Sequence, residues 1–147
     1  MNENAMTVIG NVCADLVART TATGVDVTSF RLASTPRRFR NGVWEDGETA
    51  FFTVNCWRTL AKNVFASVHR GDPVVVQGLL RVRKWENQGV TGTSIEIDAQ
   101  AVGFDLNRGS AVFSRAKREQ SPLAAEAEAA GLRPDSAAGA LAAQSAA

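Results

Sequence analysis

In the segment 79–85, which reads LLRVRKW, two arginines and a tryptophan occupy alternate positions, so that they have the same parity in sequence. Arg81, Arg83 and Trp85 are separated by single residues, and in a β-strand such residues project from the same face. Guanidinium groups neutralise phosphates, and an indole face stacks on an unpaired base, a contact worth about 1 to 3 kcal/mol. The spacing therefore predicts a surface that binds single-stranded nucleic acid without reading its sequence.

The segment 51–57 carries a similar pattern. One parity is apolar, and the other mixes two large rings with polar side chains: Phe51, Thr53, Asn55 and Trp57. A mixed row of this kind is not typical of a core face, so we expect it to face solvent. Arg31 alternates with apolar neighbours and is expected on the same side. The long hairpin adds the segment 37–40, RRFR, and Trp44, and thus further cations and two rings.

Each of these residues also has a plain structural explanation when it is taken singly. A lone Trp57 or Trp85 is more commonly a partly buried packing residue than a ligand contact. A run of arginines such as that in residues 37–40 is more commonly solvated than bound to a ligand. Their coincidence on one predicted strand face is what favours a binding surface.

The composition restricts the function classes. The formal net charge is +1, from 16 lysines and arginines against 15 acidic residues, so local arrangement and not an overall positive field must carry the nucleic-acid prediction. Cys13 and Cys56 are too few for a disulfide framework or a zinc site. An enzyme is the rival class, but the single His69 has no catalytic companions in its segment. We therefore expect no catalysis, no metal and no cofactor.

Period-two alternation predicts the elements that position these residues. We expect five strands, at residues 8–12, 25–34, 51–57, 74–85 and 93–104. Helical spacing of Leu60, Val64, Phe65 and Val68 predicts one short helix between the third and fourth strands. Turn residues predict hairpins at 35–49 and 86–92. This order is typical of an all-β OB-fold, a five-stranded Greek-key barrel.

The composition changes near residue 105, which sets the predicted domain boundary. Nine of the ten aromatic residues lie before it, whereas residues 105–147 contain 14 alanines in 43 residues. We expect a domain at 1–104 and an Ala-rich, mostly disordered tail at 105–147. A docked C-terminal helix is the alternative, but it needs an apolar stripe, and the segment offers only Leu123, Leu132 and Leu141. No secretory signal or membrane span is evident, so a cytoplasmic location is expected.

Four segments, in this order and spacing, resemble the bacterial single-stranded DNA-binding protein family: VIGNV at 8–12, FRLAS at 30–34, GDPVVVQG at 71–78 and LLRVRKW at 79–85. The resemblance spans roughly residues 6–104. It implies a homotetramer, nucleoid-associated, that binds and protects single-stranded DNA during replication, recombination and repair. The alternative is an OB-fold primosomal accessory or another module that binds protein or RNA.

The resemblance also implies site residues. By position, the base-stacking aromatics are Phe39, Phe51, Trp57 and Trp85, and the phosphate-contacting cations are Arg37, Arg81, Arg83 and Lys84. The strand and hairpin patterns add Arg31, Arg38 and Arg40. Family members usually carry Trp where this chain has Phe39 and Phe51, so smaller stacking surfaces are expected there.

Two features depart from the family or stay open. Members that recruit repair enzymes typically end in an acidic tip with Pro-Phe, whereas this sequence ends LAAQSAA. We therefore expect a specialised paralogue for which such recruitment is in doubt. Cys13 falls near the end of the first strand, which in this family pairs across a subunit interface, so both a free buried thiol and an intersubunit disulfide stay open.

Overall fold

A computed structural model describes residues 2–116 and contains eight β-strands and one α-helix. In chain order they are β1 (Ala5–Val12), β2 (Val17–Thr20), β3 (Asp26–Ser34), β4 (Arg37–Arg40), β5 (Val43–Asp46), β6 (Ala50–Trp57), α1 (Arg58–Ser67), β7 (Pro73–Asn87) and β8 (Val90–Phe104).

Five of the strands form a closed ring in the order β1, β7, β8, β6 and β3. The ring closes where Val12 of β1 pairs with Leu32 of β3. The pairs within the ring are antiparallel except that residues 53–55 of β6 run parallel to residues 96–98 of β8. With α1 between the third and fourth strands of the barrel, this is the OB-fold that the sequence predicts.

The structure corrects the prediction at the short strands and at one hairpin. β2 was not expected; its four residues are all exposed and pair with the first half of β3, so this edge strand depends on β3 and not on an apolar pattern of its own. The expected hairpin at 35–49 contains the strands β4 and β5. The hairpin between β7 and β8 turns at Gln88 and Gly89, because pairing continues to Asn87 and Val90.

Valines dominate the interior of the barrel. The apolar parity of β6 points inward, with Val54 and Cys56 fully buried and Phe52 half-buried. Burial of each Val, Leu, Ile or Phe side chain stabilises the fold by about 1.5 to 3 kcal/mol. Twelve buried residues form the core: Val8, Val12, Phe30, Leu32, Val54, Cys56, Ala61, Val64, Val68, Val74, Val76 and Ile97.

The helix α1 covers part of this core. Ala61 and Val64 are buried, and the buried hydroxyl of Thr28 donates a hydrogen bond of 2.8 Å to the carbonyl of Ala61. The helix ends at Ser67, beyond which Gly71 adopts φ +95° in the turn that leads to β7. The predicted helix is therefore present, although Phe65 of the expected apolar stripe is half exposed.

Two glycines allow strands to approach closely. A Cβ at Gly10 would overlap the carbonyl oxygen of Ala33, at the point where β1 and β3 close the barrel. A Cβ at Gly78 would overlap the carbonyl oxygen of Asp98 and lie 2.8 Å from the Cα of Ala99, where the register between β7 and β8 shifts. Both positions therefore require a residue without a side chain.

Residues 105–116 form no helix or strand. The backbone N–H of Arg108 donates to the carbonyl of Asp105 at 3.1 Å, which makes a turn directly after β8. The rest of the predicted tail, residues 117–147, lies outside the described residues. Within the part of the chain that the structure describes, no helix is long and apolar enough to cross a membrane.

Gly78→Ala should lower the free energy of unfolding by about 1 to 3 kcal/mol, because the added methyl group must displace the backbone of β8. Urea unfolding of the variant and the wild type measures the difference. Gly103→Ala on β8 is the matched control, since a Cβ there meets no atom within 4 Å. Equal destabilisation by both substitutions would contradict the close-approach explanation.

Candidate nucleic-acid interface

The outer face of the barrel carries a continuous row of side chains across four strands. Arg31 of β3 pairs with Thr53 of β6, Thr53 pairs with Glu96 of β8, and Glu96 pairs with Arg81 of β7. Directly paired residues in a sheet project from the same face. The register therefore brings cations from two strands that are distant in sequence onto one surface.

Large rings flank this row along the same face. Phe51 and Trp57 share the parity of Thr53 on β6, and Arg83 and Trp85 continue the parity of Arg81 on β7. The side chains are partly open to solvent, at 49% for Phe51, 37% for Trp57 and 47% for Trp85. We call this surface the outer wall; its residues are Arg31, Phe51, Thr53, Trp57, Arg81, Arg83, Trp85, Glu96 and Asp98.

Arg31 is held against its neighbours on β6. Its Nη1 donates a hydrogen bond of 3.2 Å to Oγ1 of Thr53, and its Cζ lies 5.5 Å from the ring centroid of Phe51. A guanidinium at this distance from a ring is attracted by the negative ring face. One face of Phe51 is therefore occupied by a cation.

Two carboxylates on β8 pair with the arginines of β7. Nε of Arg81 lies 3.1 Å from Oδ2 of Asp98, and Nε of Arg83 lies 2.9 Å from Oε2 of Glu96. The arginine side chains stay 58% and 71% exposed, whereas the carboxylate side chains are only 33% and 14% exposed. Sequence reasoning missed both carboxylates, although their alternation with Ile95 and Ile97 predicts that they face away from the core.

The indole of Trp85 lies on the backbone of Gly92, its partner across the hairpin. A Cβ at Gly92 would overlap the six-membered ring of the indole. A cross-strand aromatic residue of this kind covers a glycine that has no side chain of its own to pack. Gly92 therefore sets the position of the ring.

The hairpin of β4 and β5 carries a second pair of rings. Its turn is formed by Asn41 and Gly42, both with positive φ, which brings Phe39 directly opposite Trp44. The ring centroids are 5.4 Å apart, and the two side chains are 63% and 59% exposed. Arg37 pairs through Nε with Asp46 at 3.1 Å.

Trp44 is not among the base-stacking residues that the resemblance implies, although the hairpin pattern names it as an additional ring. The signal that could have assigned it to this pair of rings is the Asn41-Gly42 turn, because a two-residue loop places the residues two positions before and after it in one cross-strand pair. Arg37 also contacts this ring, with its Cζ 5.9 Å from the ring centroid of Trp44.

Three predicted cations do not share these faces. Lys84 pairs with Thr93 and has the opposite parity to Arg81, Arg83 and Trp85. Arg38 and Arg40 have the opposite parity to Phe39 on the hairpin. The shared face that strand parity predicts is therefore present for the outer wall, and Lys84 lies opposite to it, as its parity also predicts. The DNA-binding roles of Lys84, Arg38 and Arg40 stay predictions.

The two thiols and the histidine are not among the outer-wall residues, although Cys13 contacts the backbone of Arg31. Burial raises the pKa of Cys56 from 9.0 to about 12, so this thiol stays protonated. Cys13 is half-buried, and its Sγ lies 3.5 Å from the carbonyl oxygen of Arg31. Nδ1 of His69 lies 3.8 Å from the carboxylate of Asp72, in the turn after α1. No cluster of three metal-binding side chains occurs in residues 2–116.

A closed OB barrel with rings and guanidiniums on one exposed face defines a class of nucleic-acid-binding modules. A sequence profile of the Single-strand binding protein family matches residues 3–105. The chain belongs to this family.

Curated relatives and solved structures agree with this assignment. Single-stranded DNA-binding protein 2 of Streptomyces avermitilis is 50% identical over 117 residues, which are 78% of this chain and 73% of that protein. Single-stranded DNA-binding protein 1 of Streptomyces coelicolor is 46% identical over 123 residues, 82% of this chain and 78% of that protein.

Two solved structures have the same fold as this chain. The small single-stranded DNA-binding protein from Streptomyces coelicolor is similar with a TM-score of 0.69 and 48% identity, over 74% of this chain and 100% of that chain. The second single-stranded DNA-binding protein (SSBb) of Mycobacterium smegmatis gives a TM-score of 0.60 and 35% identity, over 78% of this chain and 100% of that chain.

Gly92→Ala should displace the ring of Trp85, because the added methyl group takes the space of the indole. In a background with Trp44→Phe and Trp57→Phe, Trp85 is the only tryptophan of the chain, and its emission should shift to longer wavelength as the ring leaves the backbone. Gly103→Ala in the same background is the control and should leave the emission unchanged. Identical emission spectra for the Gly92 variant and its parent would show that Gly92 does not position the ring.

Proposed function

We propose that this chain binds single-stranded DNA without sequence preference and protects it, by stacking bases on the rings of the outer wall while guanidiniums contact the phosphates. One observation carries the proposal. The exposed rings of Phe51, Trp57 and Trp85 share a single outward surface with Arg31, Arg81 and Arg83.

The exposure of the rings supports stacking over packing. A tryptophan that only fills space has its ring largely surrounded, whereas Trp57 and Trp85 each keep more than a third of their surface open. Trp57 does so on a strand whose other face is buried, and Trp85 lies in the part of β7, residues 81–87, that is exposed on both faces. Each stacked base contributes about 1 to 3 kcal/mol, and the contact tolerates any base because every base has a flat face. Duplex DNA offers no such faces along its length.

The hairpin of β4 and β5 extends the surface. Phe39 and Trp44 form an exposed ring pair with Arg37 beside it, and a single strand that leaves the outer wall would find a second stacking position there. Arg38 and Arg40 have no carboxylate within 4 Å among the described residues, and together with Lys84 they would attract the phosphate backbone from the sides. Their contribution is electrostatic and weakens as salt rises.

Membership of the family supports a proposal for the assembly of the chain and for its cellular role. We propose a homotetramer of OB domains, each spanning residues 1–104, with residues 105–147 as a tail. We further propose a specialised paralogue that acts on single-stranded DNA in replication, recombination or repair at the nucleoid and catalyses no reaction. Relatives that carry the number 2 or the description "second" in their names support a paralogue.

Oligo-dT should compete at least tenfold better than duplex of equal length for this protein, because only the single strand exposes bases to the outer wall. Competition binding by fluorescence anisotropy measures the ratio. Equal competition by both would refute the proposal and favour a module for structured RNA or for protein.

Changing Trp57 and Trp85 together to Ala should weaken binding of oligo-dT by about 2 to 6 kcal/mol if each ring stacks on one base. Phe65→Ala is a matched control, since Phe65 is also a half-exposed ring but lies on α1, away from the outer wall. Circular dichroism checks that the barrel is intact. If the affinity of the double variant equals that of the control, the stacking assignment is wrong.

After reduction, only Cys13 should react with a thiol reagent at pH 8 in the folded protein, because Cys56 is fully buried and its pKa is about 12. The reaction should be lost in Cys13→Ser and kept in Cys56→Ser. Electrophoresis with and without reductant then decides the open question about pairing between subunits. A dimer band that needs Cys13 establishes the disulfide, and an unchanged monomer band establishes the free thiol.

A further inference from the structure

We infer that Glu96 and Asp98 are specificity-determining residues. They limit the net positive charge of the outer wall, so that contacts with phosphates alone do not suffice to bind a polyanion there. This inference rests on the proposed function and concerns its selectivity. It predicts that the two carboxylates disfavour duplex DNA, which offers many phosphates and no free bases.

The two carboxylates lie next to the arginines of the wall. Glu96 stands between Thr53 and Arg81 in the row that crosses the wall, and Asp98 follows it two residues later on the same face of β8. Glu96 therefore lies within the surface, and Asp98 contacts Arg81 from the adjacent row. A phosphate that binds Arg81 or Arg83 therefore also approaches a fixed negative charge.

The charges of the outer wall nearly balance. The wall contains three guanidiniums, on Arg31, Arg81 and Arg83, and two carboxylates that contact two of them at 3.1 and 2.9 Å. The net charge of the wall is thus +1. Binding that depends on displaced counterions grows with the number of unopposed cations, so most of the attraction on this wall must come from the rings.

The geometry of the pairs leaves donors on each arginine. The 3.1 and 2.9 Å contacts of the carboxylates are with Nε of their arginine. Each arginine has four further N–H bonds on its terminal Nη groups, which can donate to a phosphate. The carboxylates therefore reduce the charge of the wall without blocking the arginines, so a phosphate next to a stacked base can still be bound.

The test is the double variant Glu96→Gln, Asp98→Asn, with oligo-dT and duplex of equal length as ligands over a range of salt. The double variant leaves two arginines without an opposing carboxylate. The slope of log affinity against log salt should therefore become steeper by up to about 1.8 for duplex and about 1.4 for the single strand. Because the slope changes more for duplex than for the single strand, the ratio of the affinities for oligo-dT and duplex should fall about threefold at 50 mM salt.

The ratio of the two affinities is the decisive measurement. Any loss of arginine positioning affects both ligands alike and cancels in this ratio, whereas the charge effect does not. Glu86→Gln is the matched control: it removes the same charge from β7, on the face opposite to Arg83, and should leave the ratio unchanged. Each single variant should show about half of the change in slope, which keeps the test valid if the double variant does not fold.

An unchanged ratio and unchanged slopes in folded variants would overturn the inference, and so would an equal change in the Glu86 control. Failure of the proposed function is seen separately, in the wild type. If wild-type protein does not prefer oligo-dT, the proposed function is wrong. If it does and the variants match it, only the role of the carboxylates is wrong.

Discussion

Closure of the sheet is the constraint on which the exposed surface depends. Once β1 pairs with β3 beside Gly10, the parts of the strands that enclose the barrel have one face toward an apolar core and the other face outward, although Asn55 in the outward row of β6 is itself buried. Beyond Leu80, β7 is exposed on both faces. The side chain of Val54 on β6 then points into the barrel, and those of Phe51 and Trp57 must point outward. A register slip of one residue would bury Thr53 and expose Val54. The same burial that stabilises the barrel therefore keeps the rings available to a ligand.

Sequence reasoning succeeded where parity within one strand decided the outcome. Alternation alone assigns the inward and outward rows of β6 and β7, and the turn residues locate both hairpins. It failed where a residue depends on another strand. β2 is strand only because β3 offers it an edge, and the pairs of Arg81 and Arg83 with β8 require a cross-strand register that no local pattern specifies. Lys84 lies on the opposite face, as its parity predicts, so its assignment as a phosphate contact depends on the positional resemblance alone.

The ion pairs of the outer wall contribute little to the stability of the fold. Solvent-exposed pairs are typically worth about 0 to 1 kcal/mol, whereas a single buried valine or leucine contributes about 1.5 to 3 kcal/mol. The arginines in these pairs are more than half exposed. Since the core already secures the barrel, the placement of Glu96 and Asp98 matters more for the electrostatic potential of the surface than for folding.

Rings and charges on such a surface respond differently to the ligand and to the solution. Stacking requires bases that are unpaired and is nearly independent of salt, while attraction between guanidiniums and phosphates acts on any nucleic acid and falls as salt rises. A wall with a low net charge and several open rings therefore derives its selectivity from the first interaction. Arg31 shows how the two combine under the proposed function: its guanidinium lies against Phe51, where it can attract a phosphate while it stays beside a ring that we propose to stack on a base.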